Sequence, residues 1–282
     1  MNEIIVKAGR QQGPLIRRQS IWTRVTHWTW AIWLFFLLLS GLQIFNAHPA
    51  LYIGQESGFA YDNAVLRMDA VDRHGPRGQT TIFGRSFDTT GLFGLSGPAD
   101  HPRVRGFPAA LTIPSYQDLA TGRVIHFFFA WLLVATLLVW LCAGLISGHI
   151  RRDLVPTGRD LAHLPRDVAA HARLRFHHGR GYNVLQKLSY GAVLFVLLPL
   201  MVLTGLAMSP GMDAVWPWLL EVFGGRQTAR SIHFLGMTLL VLFFIVHILM
   251  VLAAGPINEL RSMISGWYRI DPEPGLKPEI KS

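Results

Sequence analysis

The stretch from Ser231 to Val251, SIHFLGMTLLVLFFIVHILMV, is an apolar run that carries two histidines, His233 and His247. Their fourteen-residue spacing returns them to within about 40° of one helical face and sets them roughly 21 Å apart along the axis. That length approaches the thickness of a bilayer core. Ionisable side chains inside a spanning helix are costly, face a protein interior and mark function. Two imidazoles on one stripe, one near each membrane face, therefore imply two stacked sites. We read them as ligands of two haems.

Composition agrees with a membrane chain, since 51% of the residues are hydrophobic, only 15% are charged and the mean hydropathy is +0.33. The net charge of +9 does not indicate nucleic acid, because the basic residues concentrate between apolar runs, where they set membrane topology. The single cysteine, Cys142, lies inside an apolar run. It excludes an internal disulfide, a CxxC redox motif and a CxxCH covalent haem attachment. Any haem is then b-type, held by coordination and packing.

In chain order, residues 1–20 form a basic arm with Lys7, Arg10, Arg17 and Arg18 and no cleavable signal pattern. The first span covers 21–47, with His27 about one turn inside the membrane beside Trp22, Trp28, Trp30 and Trp33, an aromatic belt. Residues 48–121 are a long polar connection with nearly balanced charge. A connection of that length between spans suits a docking platform for a soluble partner. Its His48, His74 and His101 show no metal spacing and are expected at the surface. The second span, 122–150, starts near His126 and ends at His149. A basic connection, 151–182, has apolar residues at helical spacing, including Leu161, Leu164 and Val168, and predicts a helix lying on the membrane. The third span, 183–212, contains Pro199, a kink site. Residues 213–228, with Trp216 and Trp218, form an interfacial segment, and the fourth span covers 229–254. The tail, 255–282, reads as a second surface helix.

Most lysines and arginines fall in the arm, the second connection and the tail. The positive-inside rule then places both termini in the cytoplasm and the 48–121 insertion in the periplasm. The expected fold class is an all-α membrane protein, a four-transmembrane-helix bundle. This topology puts His27 level with His247 near the cytoplasmic face and His126 level with His233 near the outer face. Each level supplies two neutral imidazoles from different helices, the requirement of six-coordinate bis-histidine iron. Gly41, Gly144, Gly205 and Gly236 offer backbone that a porphyrin can approach. Arg24, Arg123 and Arg230 stand one turn before three of these histidines, suited either to haem propionates or to plain interfacial anchoring.

RVTHW in span one, RVIHF in span two, YNVLQK before span three, and SIHF followed fourteen residues later by a second histidine resemble the di-haem cytochrome b subunits of nickel-iron hydrogenases and formate dehydrogenases. The branch most resembled is the thiosulfate-reductase-type, bacterial cytochrome b561-like group, which works with periplasmic molybdopterin oxidoreductases. The resemblance covers most of the chain except the 48–121 insertion. It implies that His27 and His247 ligate an inner haem b and that His126 and His233 ligate an outer one. It also implies a quinone site near the inner haem at Asn183, Gln186 and Lys187. Val184 and Leu185 depart from the family pattern, in which the formate dehydrogenase type has a glycine after the Asn. His149 ranks behind His27 as an inner ligand or as a proton donor to quinone.

The expected function is electron transfer between a periplasmic oxidoreductase and the quinone pool of the inner membrane, as the electron-transfer subunit of an oxidoreductase complex. The rival is a self-contained b561-like transmembrane reductase or superoxide-oxidising protein. Copurification with a redox partner separates the two.

Overall fold

The computed structural model describes residues 13–72, 75–98, 100–173 and 184–270. A short strand, β1 (Leu15–Arg17), leads into the first long helix, α1 (Ile21–Phe45). Six strands follow: β2 (Ala50–Tyr52), β3 (Ala64–Asp72), β4 (Pro76–Ile82), β5 (Arg85–Asp88), β6 (Gly94–Ser96) and β7 (Arg103–Arg105). The second long helix, α2 (Leu119–Ile146), is capped by Asp118, which accepts from the Thr121 amide at 3.0 Å. Helix α3 (Gly158–Ala172) precedes a third long helical run, made of α4 (Val184–Ala192), a π-wound turn at Val193–Leu197 and α5 (Leu198–Ala207). Two short helices, α6 (Pro210–Val215) and α7 (Pro217–Val222), lead to α8 (Arg226–Ala254), and the described residues close with α9 (Pro256–Ser265) and β8 (Trp267–Arg269).

Four helical runs, Ile21–Phe45, Leu119–Ile146, Val184–Ala207 and Arg226–Ala254, are long and apolar enough to cross a membrane. Leu138, Val139, Phe244 and Leu252 stand exposed on them, a coating of apolar side chains that suits lipid and not water. In the third run the wide π turn lies just before Pro199, whose ring nitrogen cannot bond the Phe195 carbonyl one turn back.

The chain divides into two units. One comprises 28–143 and 192–243 and contains an antiparallel sheet in the order β2-β3-β4-β5, with β6 and β7 as a separate ribbon. The expectation of an all-α chain is therefore corrected. The strand signal was masked because Arg67, Asp69 and Asp72 interrupt the apolar residues of β3. Register runs through Met68 opposite Thr80 and Thr81 opposite Ser86, and Phe83 and Gly84, both at positive φ, make the two-residue turn between β4 and β5. At Gly94 any Cβ would collide with the Asp69 carbonyl, so glycine lets the ribbon lie directly on β3.

The sheet is built onto helix ends. Leu42 and Phe45 of α1, Leu51, Met68 and Phe107 form one core with Phe234 and Met237 of α8 packed against it. Polar groups at this seam are matched. Asn46 donates to the Phe107 carbonyl at 3.1 Å and accepts from its amide at 2.7 Å. Ser231 donates to the Tyr52 carbonyl at 2.7 Å. The buried Arg105 donates to the carbonyls of Phe107 and Ser115 and to Thr112.

The other unit comprises 1–27, 144–191 and 244–282. Here β1 pairs antiparallel with β8, Ile16 opposite Tyr268, a pairing too short to leave a sequence pattern. Tyr268 is 1% exposed, donates to Glu259 at 3.0 Å and lies under the Arg18 guanidinium at 4.3 Å. Burial, with Glu259 next to it, pushes its phenol up to about 12. Helix α3 opens with Thr157 and Asp160 capping each other's amides, a capping box.

Candidate functional site

Within the second-described unit, His27 of α1 faces His247 of α8, their ring centroids 6.3 Å apart with the planes at 51°. Within the sheet-bearing unit, His126 of α2 faces His233 of α8 at 6.4 Å and 61°. All four rings are half-buried. A metal ion bonded to two imidazole nitrogens at about 2 Å each, with each centroid about 1 Å behind its nitrogen, separates the centroids by roughly 6 Å. Both pairs meet that spacing. Among the described residues no group of three His, Cys, Asp or Glu side chains is arranged to hold a metal. Two imidazoles thus suit an ion whose other positions come from a macrocycle.

The hydrogen bonds fix which nitrogen of each ring is available at the second pair. His126 Nδ1 lies 3.1 Å from the Leu37 carbonyl, which only accepts, so Nδ1 carries the proton. Ser40 Oγ, also 3.1 Å from Nδ1, spends its own proton on the Phe36 carbonyl at 2.6 Å and accepts as well. At His233 the same logic applies: Thr204 Oγ1 donates to the Leu200 carbonyl at 2.7 Å and accepts from His233 Nδ1 at 2.9 Å. Each ring is held with its Nε2 lone pair available for coordination, the arrangement of a metal-binding histidine with its supporting acceptor.

Ser40 and Thr204 are both 0% exposed, and each immediately precedes a glycine that faces the same ring. A Cβ at Gly41 would stand 3.3 Å from His126 Cε1, and one at Gly205 would stand 3.6 Å from His233 Cε1. The helices carrying Ser40-Gly41 and Thr204-Gly205 use one hydroxyl and one gap apiece to seat an imidazole from another helix. The signal in the sequence is this repeated hydroxyl-glycine pair inside apolar runs. Gly41 and Gly205, expected where a porphyrin approaches, face the rings of His126 and His233. Gly144 and Gly236 are packed by neighbours, since a Cβ there would meet Ile150 and Met201 at 2.8 Å.

The arginines differ. Arg24, one turn before His27, donates to the Ile264 carbonyl at 2.5 Å, and its buried Nε finds no hydrogen-bond partner among the described residues. That Nε lies against Gly266, 3.6 Å from where a Cβ there would stand. Arg230 donates to the His48 carbonyl at 2.5 Å and lies over the Phe45 ring. Arg123 is exposed and covers Phe127.

A model of the prokaryotic cytochrome b561 family matches residues 18–266. The chain belongs to that family. It is a haem b-binding, electron-transporting, multi-pass protein of the bacterial inner membrane. A relative from Azospira oryzae, described as a putative protein-methionine-sulfoxide reductase subunit, YedZ1, is 33% identical over 133 residues, 45% of this cytochrome and 62% of the relative. The alignment thus spans less than two thirds of that protein's length. No solved structure matches the chain significantly.

Of the residues expected at a quinone site, Asn183 lies outside the described residues, and Gln186 and Lys187 lie on α4. Lys187 Nζ donates to Asp160 of α3 at 2.8 Å, with the lysine side chain 13% exposed. Lys187 foremost, then Thr157, hold the Asp160 carboxyl down to about 2. His149 pairs with Asp153 at 2.6 Å, and Asp153 also takes Arg152. Sequence reading had assigned neither carboxylate a partner. His101 sits exposed beside Asp100, while His74 lies outside the described residues.

Proposed function

We propose that this cytochrome b561 is a di-haem electron conduit between a periplasmic oxidoreductase and the membrane quinone pool. His27 and His247 ligate one haem b and His126 and His233 the other. The observation that carries the reading is the two pairs of facing imidazoles at 6.3 and 6.4 Å, a spacing at which two rings would hold one metal ion. The positive-inside distribution of lysine and arginine puts both termini in the cytoplasm, the His27 level inside, and the 48–121 insertion outside, where it docks the partner. The relative's description as a reductase subunit supports a partner over a self-contained enzyme.

Bound haem would supply reversible one-electron chemistry, held by His27 and His247 at one site and by His126 and His233 at the other. The protein's part is to hold geometry. Leu37 and Ser40 fix the His126 tautomer and Thr204 fixes that of His233. At the cytoplasmic side Asn183, Gln186 and Lys187 receive the quinone. Lys187, held by Asp160, supplies positive charge where negative charge develops. The test is reduction of the purified, haem-loaded protein by a short-chain quinol. Reduction of the b-type α-band is expected, and Lys187→Met slows it. A protein reduced by dithionite and never by quinols of any head group contradicts the quinone reading.

A further inference from the structure

The place where α1 ends brings together His48, Tyr52 and Arg230. His48 caps the last turn of α1, its amide donating to the Phe45 carbonyl at 3.1 Å. Its carbonyl accepts from Arg230. Its Nε2 lies 3.1 Å from the Tyr52 hydroxyl, with the two rings stacked at 5.6 Å and 17°. Arg230 stands three residues, one helical turn, before His233, and its guanidinium lies 5.5 Å above the Phe45 ring, which in turn packs 4.8 Å from Phe234. His48 and Arg230 therefore sit about one turn beyond the His126–His233 pair, inside the same unit.

The charges facing His48 are cationic. Arg230 comes from α8 and Arg67 from β3, with the neutral Tyr52 from β2; the carboxylate nearby, Asp62, is engaged by Arg67 at 2.9 Å. Burial first, then Arg230 and Arg67, hold the imidazole below its ordinary range. One guanidinium nitrogen of Arg230 is spent on His48, and the planar fork offers further donors. An anion placed here gains from Arg230 and reverses the pull on His48, while Arg67 is paired with Asp62. His48 is exposed enough to exchange protons with water.

We propose that Arg230 and His48 form a proton-linked carboxylate site for the propionate edge of the haem held by His126 and His233, with His48 binding a proton when that haem gains an electron. The proposal rests on the ligand reading above. The electron comes from quinol or partner and the proton from water, so one charge of each sign enters together and the buried site stays balanced. The chemistry recognised is a carboxylate, and the consequence is a pH-dependent potential at one haem only.

The test is spectroelectrochemical titration of the haem-loaded protein from about pH 5.5 to about pH 8.5, the span over which histidines titrate. The relevant component is the one missing from His126→Ala. In the wild type its midpoint falls as pH rises; in His48→Gln it becomes flat while both haems stay bound. Arg230→Lys keeps the slope at a lower midpoint. Tyr52→Phe, which removes the hydroxyl partner and keeps the ring, moves the pH inflection. A wild-type slope in His48→Gln, or an unmoved inflection in Tyr52→Phe, overturns the carboxylate pair. A His126→Ala protein that keeps both components overturns the ligand assignment beneath it.

Discussion

Replacing Thr204 by valine tests the seating of His233 most sharply. The side chain has no exposed surface, so Thr204→Val keeps its shape and removes only the oxygen that accepts from His233 Nδ1 at 2.9 Å. The imidazole N–H is then left short of an acceptor in an apolar interior, at a cost of about 1–3 kcal/mol. Since each 1.4 kcal/mol is about tenfold, the expected loss in haem affinity is roughly 5- to 150-fold, in line with the about 10- to 100-fold typical when a ligand's supporting partner is removed. The assay is transfer of haem from the purified protein to excess apomyoglobin, followed in the visible spectrum. The component absent from His233→Ala is the one that leaves faster, while Thr204→Ser stays near the wild type. Release at the wild-type rate in Thr204→Val refutes the seating argument.

The two ring-facing glycines separate by distance. Gly41→Ala brings a Cβ to 3.3 Å from His126, tighter than ordinary contact, and Gly205→Ala to 3.6 Å from His233; the first lowers haem content per chain and the second leaves it unchanged. Phe83 holds φ 46 in the β4–β5 turn while 78% exposed, a left-handed conformation that costs an L-residue about 1 kcal/mol. Phe83→Asn raises the thermal midpoint of the insertion, and a fall in that midpoint counts against the turn assignment. Asp160 is depressed to about 2 by Lys187 and Thr157, so its stabilisation is complete above the unfolded carboxyl value of about 4 and is lost as pH falls towards about 2. The difference in unfolding midpoint between wild type and Asp160→Asn is therefore present at neutral pH and closes over that acid window; a constant difference throughout contradicts the ion pair.

The four spans were legible because apolar length in a membrane chain is a property of single segments. That His233 and His247 share one helix was legible too, since a single apolar run carries both. The sheet was not, because β3 alternates imperfectly and its stability comes from β4 and from the buried face of β2, which lie elsewhere in the sequence. Pairing of β1 with β8 joins Leu15–Arg17 to Trp267–Arg269, and nothing local announces it. The hydroxyls of Ser40 and Thr204 read as ordinary small polar residues of membrane helices until the imidazoles opposite them are known. His48 is at the surface as expected, but its neighbours Arg230, Tyr52 and Arg67 come from three different elements and nothing local announces them.

The central claim is that each facing imidazole pair holds one haem, and haem counted per chain by pyridine haemochrome tests it most directly. The account predicts two haems b in the wild type and one in each of His27→Ala, His247→Ala, His126→Ala and His233→Ala, with the same spectral component lost within each pair and different components lost between pairs. Two haems retained in any of the four, or losses that cross the pairs, contradict it.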